Sequence, residues 1–401
     1  MFPPQAKNQL FTGALIAVLA AQFLSAAADN VLLFAAIGLI KASAFPPYFE
    51  PMLQEFFVAA FILLAPFVGP FADAYSKGRV MLIANAIKLV GAGAMFLGLH
   101  PLLAYGITGI GAAAYSPAKY GILSELVAPE QLVKANSLVE GSTIVAILLG
   151  ALLGGALADV SVQWALLTVI AMYGLAALAN VRIPSLAAAH PLTSFNFSVL
   201  VRDFWRALKQ LYRHPEARFT LLGTSLFWGT GSTLRFMLVA WVPVALATDN
   251  NHTPANLNGV VAIGIALGAA LAARLVNLKT VNRALIAGLL LGVLVWVFAG
   301  ATSLYLAAGL LVAIGASGGF YVVPLNALLQ QRGHETVGAG HAIAVQNFSE
   351  GIAMLTLVGA FAAARKADWA VIPLVQGFGI AIIVLMSLLT LARLTRWKSV
   401  A

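Results

Sequence analysis

Apolar residues in this chain arrive in blocks of about 17–30, the length an α-helix needs to cross the hydrocarbon core of a bilayer, with short polar turns between them. Inside lipid every backbone polar group has to be satisfied within its own segment, so blocks of this length restrict the chain to membrane-spanning helices. Composition argues the same way. Of the 401 residues, 61% are hydrophobic and only 9% are charged, against about 25% charged in a soluble domain. A soluble fold of this size would lack a polar surface. The net charge of +9 lies mostly in the turns, where membrane topology explains it better than nucleic-acid binding does. Cysteine is absent, which excludes disulfides, iron–sulfur ligation and thiol nucleophiles.

Twelve spans are expected, near residues 11–40, 51–72, 79–98, 102–122, 135–158, 163–182, 218–247, 254–276, 283–300, 304–331, 338–363 and 370–392. The first begins like a signal peptide, with Lys7 ahead of an apolar run and Ser25-Ala26-Ala27 within it. That run continues past Asp29 to about Ile40, so it reads as a retained span. With the N-terminus inside, seventeen of the 23 Lys and Arg fall in inner segments, while Lys41, Arg365 and Lys366 fall outside and Lys88, Lys119 and Arg235 lie within spans. This bias predicts both termini in the cytoplasm.

A polar linker, residues 184–216, separates an N-terminal six-helix bundle, 1–183, from a C-terminal one, 217–401. Phe197, Leu200, Val201, Phe204, Leu208 and Leu211 recur in it at helical spacing, with Arg202, Arg206, Lys209 and Arg213 interleaved. Such a helix is expected to lie flat on the inner leaflet, its cations among anionic headgroups; the plainer alternative is a solvated linker helix. An offset of about 206 residues relates the two sets of spans: Asp29 maps onto Arg235, Asp73 and Lys77 onto Lys279 and Arg283, and Pro117 falls near Pro324.

Ionisable residues inside spans carry most information about function. Asp29, Lys88, Lys119, Glu140, Arg235 and Glu350 each cost at least about 2.5 kcal/mol at a helix centre unless paired or hydrated, so each should face the bundle interior or a cavity. Asn30, Asn85, Tyr115, Tyr120, Asn326, Gln346 and Asn347 accompany them. Asp29 and Arg235 read either as a headgroup site or as an ion pair latching the halves, and the two roles are compatible if substrate replaces the pair. Lys88 reads as a lysine snorkelling to the inner interface. Lys119 and Glu140, near the cytoplasmic ends of spans four and five, fit an inner gate or a contact with departing substrate.

No nucleotide-binding Gly-x-x-x-x-Gly-Lys-Ser/Thr loop occurs. Gly109-Ile-Gly111-Ala-Ala-Ala114 has a dinucleotide-binding spacing but lies inside an apolar span with no preceding strand. Of the six histidines only His341 falls in a span, so no metal site and no cofactor are expected. A membrane-embedded acyltransferase would need a His-x-x-x-x-Asp pair, which none of the histidines supplies. The chain therefore reads as a carrier and not an enzyme.

Gly69-Pro-Phe-Ala-Asp73-Ala-Tyr-Ser-Lys77-Gly78-Arg79 resembles the loop between spans two and three of the major facilitator superfamily. The resemblance implies a conformational switch in which Gly69 permits close helix contact and Asp73 pairs with cations such as Lys77 and Arg79 in one state only. Gly141, Gly150, Gly154 and Gly155 partly resemble the span-five signature of drug–proton antiporters, but its proline is missing and close helix packing is the better reading. Further stretches extend the likeness: Ala21-Gln22-Phe23-Leu24-Ser25-Ala26 before Asp29-Asn30, Gly111 to Leu123, Val133 to Asn136, Gly223 to Gly229 before Arg235-Phe236, Val323 to Leu329, and Ala344 to Asn347. Together they resemble the bacterial lysophospholipid transporters of that superfamily.

The resemblance implies an all-α membrane protein of two pseudo-symmetric six-helix halves, with the substrate site near mid-membrane between them. It implies a flippase carrying lysophosphatidylethanolamine and related lysophospholipids from the outer to the inner leaflet of the bacterial inner membrane. A separate cytoplasmic-face acyltransferase/acyl-carrier-protein synthetase would then restore the second chain, since this sequence ends just after span twelve. Arg235 suits a phosphate, Asp29 an ammonium, and Asn30, Gln346 and Asn347 the glycerol, while the tail stays toward lipid. The other reading is a carrier of a small solute or drug, coupled to protons through Asp29 or Glu350.

Overall fold

The computed structural model describes residues 11–43, 45–127, 132–184, 196–276, 278–337 and 339–398. A few side chains within these stretches, among them Asp73, Tyr120 and Glu140, lie outside the description.

The helices are α1 (Gly13–Ala42), α2 (Phe49–Ala74), α3 (Lys77–Phe96), α4 (Pro101–Leu126), α5 (Leu132–Val160), α6 (Val162–Val181), α7 (Phe197–Arg213), α8 (Pro215–Leu246), α9 (His252–Leu275), α10 (Ala284–Phe298), α11 (Leu304–Thr336), α12 (Ala339–Lys366) and α13 (Val371–Lys398). A 3₁₀ segment, Leu278–Arg283, precedes α10, and the described residues contain no strand. Every helix other than α7 falls on one of the twelve apolar blocks. Eleven of them, among the described residues, are long and apolar enough to cross a membrane. The other is α4, where Tyr115, Ser116, Pro117 and Lys119 interrupt the apolar run.

Local chemistry sets the helix ends. Side chains of Thr12, His100, Ser161, His214 and Ser303 accept hydrogen bonds from the first free N–H groups of α1, α4, α6, α8 and α11. Proline follows the cap in α4 and α8, where its missing N–H has no helical partner to lose. After α3 the chain reverses at Gly98, whose φ of 95° is readily open only to glycine, and the Leu99 N–H returns to the Ala94 carbonyl at 2.9 Å.

The chain divides into two compact units. Unit 1 is Met1–Ser43 with Phe56–Trp205, and unit 2 is Ala44–Glu55 with Arg206–Ala401. In unit 1, α1 packs on α5 and α6, and α3 on α4 and α6. Leu15, Val18, Val80, Met81, Ile122 and Leu123 are fully buried toward one end of this unit. Gly150 and Gly154 bring α5 against α1: a methyl group on Gly150 would sit 2.5 Å from the Ala27 carbonyl oxygen, and one on Gly154 2.8 Å from Val31 Cα. That is the packing role expected of the span-five glycines. Gly141 stands apart, with nothing within 4 Å of such a methyl. In unit 2, α9 and α11 mesh reciprocally, Gly264 facing the Val312 carbonyl and Gly315 the Val261 carbonyl.

The linker helix corrects an expectation. Only part of its stripe is left open to lipid: Phe204 and Leu211 are buried in protein, whereas Phe197 at its start is exposed. Phe197 stacks on Phe67 at 4.7 Å within unit 1. In unit 2, Tyr212 donates to Ser349 Oγ at 3.0 Å and Gln210 to the Thr336 carbonyl at 3.3 Å. A stripe of this kind is satisfied by any apolar partner, and for Phe204 and Leu211 the partner is the protein itself. Arg202, Arg206, Lys209 and Arg213 remain exposed, as does the Trp205 ring.

Candidate functional site

Unit 1 carries a polar cluster deep among its helices. Ser25 and Asp29, four residues apart on α1, share a helical face, as do Asn85 and Lys88 on α3. The Lys88 ammonium donates to both Asp29 oxygens, at 2.9 and 2.8 Å, and to Ser25 Oγ at 3.0 Å. The Ser25 hydroxyl in turn donates to Asn85 Oδ1 at 2.8 Å. From α6, the Tyr173 hydroxyl donates to Asp29 Oδ1 at 2.6 Å. The rings of Tyr115 and Tyr173 lie 5.2 and 5.7 Å from the Lys88 nitrogen, within cation–π range.

This overturns the reading of Lys88 as a snorkelling residue. Its side chain is only 3% exposed, against 24% for Asp29. Lys88 sits 11 residues past Lys77, about 16 Å along α3, too deep for its stem to reach the interface. A buried ion pair with further hydrogen bonds is the arrangement that makes both charges tolerable in oil. The i, i+4 and i, i+3 spacings were the available signal in the sequence; Tyr173, far along the chain, left none.

The remaining expected residues of unit 1 divide as follows. Asn30 is buried beside Asp29, its amide donating to the Ala26 carbonyl at 2.9 Å while its Oδ1 has no hydrogen-bond partner. The buried Tyr115 hydroxyl and Asn85 Nδ2 likewise lack partners. Lys119 is buried on α4. Tyr120 and Glu140 lie on α4 and α5, and their side chains fall outside the described residues.

Unit 2 holds a second cluster. Glu350 on α12 is 7% exposed and accepts from Gln346 at 2.8 Å. The same Gln346 amide donates to Asn326 Oδ1 on α11 at 2.8 Å, and Thr224 of α8 stands beside Glu350. Both amide hydrogens of Gln346 are thus engaged, leaving its carbonyl oxygen to accept. Arg235 on α8 and Asn347 on α12 are half-buried. Asn326 belongs to this network directly, and Thr224 was not anticipated.

At the expected cytoplasmic end of unit 1, Lys77 lies across Gly121 and pairs with Glu125 at 3.0 Å, joining α3 to α4. Arg79 is exposed, and the Asp73 side chain falls outside the described residues. Gly69 makes no close helix contact, for a methyl there would meet nothing within 4 Å. Unit 2 closes its corresponding end with residues the sequence reading passed over. Glu216 accepts from Arg332 at 2.6 Å and from Arg393 at 3.1 Å, which joins α8, α11 and α13. Arg393 also donates to Asn282 at 3.2 Å and lies over the Phe219 ring at 5.0 Å. Arg332 reaches Glu335 at 2.6 Å, a bond that holds this exposed carboxyl below its usual range. Arg283 caps α9 by donating to the Leu275 carbonyl. Among the described residues no group of histidines and carboxylates is arranged to hold a metal.

Residues 10–357 match the family model of the Major Facilitator Superfamily. The chain belongs to the Major Facilitator Superfamily. Among its relatives in this superfamily is a protein of Klebsiella pneumoniae strain 342 called lysophospholipid transporter LplT, 53% identical over 370 residues, which are 92% of this chain and 93% of that one. Its counterpart of the same name in Escherichia coli O1:K1 is 53% identical over 372 residues, 93% and 94% of the two chains. Solved superfamily structures share the fold at low identity. A POT family transporter in complex with 5-aminolevulinic acid gives a TM-score of 0.77 at 12% identity, covering 96% of this chain and 97% of its own. The nucleoside transporter NupG gives 0.72 at 12%, covering 96% and 100%. As the major facilitator fold requires, the structure is all-helical among its described residues, and its relatives are transporters rather than enzymes.

Proposed function

We propose that this chain carries lysophospholipids, lysophosphatidylethanolamine among them, from the outer to the inner leaflet of a bacterial inner membrane. The observation that carries the reading is identity of 53% over more than nine-tenths of both chains with relatives named for that substrate. The polar clusters make chemical sense of such a cargo. A lysophospholipid brings a phosphate, a free hydroxyl, often an ammonium, and one long tail. Arg235 holds the phosphate in a two-pronged contact. The exposed edge of Asp29 accepts from the headgroup, the Gln346 carbonyl and Asn347 meet the glycerol, and Asn30 Oδ1 offers a further acceptor. Tyr115, Lys119, Tyr120, Glu140 and Glu350 complete the polar route.

The carrier works by alternating access. The headgroup moves along polar residues while the tail, which needs no polar partner, stays toward lipid. Six-helix halves 1–183 and 217–401 are joined by linker 184–216, with both termini in the cytoplasm as the Lys and Arg bias supports. In the loop that follows Gly69, Asp73, Lys77 and Arg79 act as the switch, and the Lys77–Glu125 pair is one of its closed contacts. A separate acyltransferase/acyl-carrier-protein synthetase at the cytoplasmic face reacylates the product.

The test is reconstitution. Purified chain in liposomes should move labelled lysophosphatidylethanolamine out of the outer leaflet, with no dependence on an imposed pH gradient. Failure to move the lipid, together with gradient-driven uptake of a small solute, would replace this reading by that of a proton-coupled solute carrier.

A further inference from the structure

Lys88 is a fully satisfied cation inside unit 1. All three of its protons have acceptors within 3.0 Å, two on Asp29 and one on Ser25, and two tyrosine rings flank it. Its side chain is 3% exposed, whereas that of Asp29 is 24% exposed. A molecule reaching this cluster therefore meets the carboxylate and not the ammonium. Nevertheless the pair has no net charge. Neutral groups stand beside the pair: Tyr173 from α6, which donates to Asp29, and Tyr115 from α4, while Gly150 of α5 lies against Ala27 and Asn30 of α1. Asn30 Oδ1, Asn85 Nδ2 and the Tyr115 hydroxyl, all buried, have no hydrogen-bond partners, so the cluster keeps unused polar capacity beside the carboxylate.

We propose that Lys88 is a positioning residue that cancels the charge of Asp29 while aiming its exposed edge outward, and so sets how strongly the carrier discriminates against a negatively charged lysophospholipid headgroup. An isolated carboxylate in a low-dielectric site would attract an ammonium strongly and repel an anionic headgroup equally strongly. Paired with Lys88, it acts as a hydrogen-bond acceptor with little long-range field. Headgroups that differ in net charge then enter on similar terms. This inference rests on the lysophospholipid reading above.

The experiment compares uptake of lysophosphatidylglycerol, an anion, with that of zwitterionic lysophosphatidylethanolamine, in proteoliposomes of one lipid composition. It uses the wild type, Lys88→Met, Lys88→Arg, Asp29→Asn and the double variant Lys88→Met with Asp29→Asn. Lys88→Met should lower the glycerol-to-ethanolamine uptake ratio by about tenfold, because one negative charge is then uncancelled. Asp29→Asn should raise the ratio. The double variant should return it to within about twofold of wild type whatever its absolute rate, and Lys88→Arg should preserve it. Competition between the two lipids for the detergent-purified protein gives the same ratio without turnover, which covers variants that bind but transport poorly. If every variant lowers both lipids in proportion, or none alters the competition ratio, Lys88 is only a packing element and the proposal is overturned alone. If the wild type moves neither lipid, the functional reading fails and this inference fails with it.

Discussion

A lone charge in the middle of a membrane helix demands an answer from somewhere else in the fold, and the residues that supply it are rarely its neighbours in the chain. Asp29 was legible as a buried ionisable group, because it interrupts an apolar block, whereas Lys88 interrupts one too but read as snorkelling to the interface. Their partnership was not legible, since the contact spans α1 and α3 and depends on side-chain depth. Glu350 illustrates the reverse case, for its donor Gln346 is four residues away on α12 and the pairing follows from helical spacing. The bond from Gln346 to Asn326 on α11 again needed the fold. This junction gives a residue-scale prediction. Gln346→Leu removes a donor from the buried Glu350 and the half-buried Asn326 at once and should destabilise the protein by about 1–3 kcal/mol. Thermal unfolding in detergent, compared with an Asn347→Leu control on the next position of α12, checks this; an unchanged midpoint would mean that the two acceptors find other donors.

Elements were the best predicted level, because the period and length of apolar runs are written directly in the sequence. All twelve long helices fall on their expected spans, though α11 and α13 run past the expected 331 and 392 to Thr336 and Lys398, and caps such as Thr12, Ser161 and His214 explain where helices begin. The linker helix α7 was also foreseen, but its environment was not. An amphipathic stripe states that an apolar partner exists, without saying whether that partner is lipid or protein; Phe204 and Leu211 are buried by protein. Glycines show the same limit. Gly141, Gly150 and Gly154 look alike in sequence, yet only the last two lie against α1, because a glycine's role depends on which helix face meets a neighbour. Gly150→Val should therefore force α5 from α1 and cost about 1–3 kcal/mol, whereas Gly141→Ala should be nearly neutral. Parallel melting curves of the two variants check the contrast, and equal effects would contradict the packing described for α5.

At the scale of the whole molecule, the two sets of six spans share a plan with different chemistry at matching positions, acid Asp29 in one and base Arg235 in the other. Each unit buries its own polar cluster and closes an expected cytoplasmic end with ion pairs, Lys77–Glu125 in one and the Glu216–Arg332–Arg393 set in the other. Superfamily membership fixes the fold, and solved relatives at 12% identity share no more than that. The nature of the cargo rests on close relatives and on the fit of these clusters to a phosphate-bearing headgroup. The measurement that tests this most directly is the initial rate of labelled lysophosphatidylethanolamine uptake into proteoliposomes, wild type against Arg235→Ala. A lost two-pronged phosphate contact, worth about 1.5–3 kcal/mol, should reduce that rate at least about tenfold while the variant still inserts and melts like the wild type. Equal rates for the two proteins would contradict the assignment of Arg235 to the phosphate, and with it the account of how this carrier recognises its lipid.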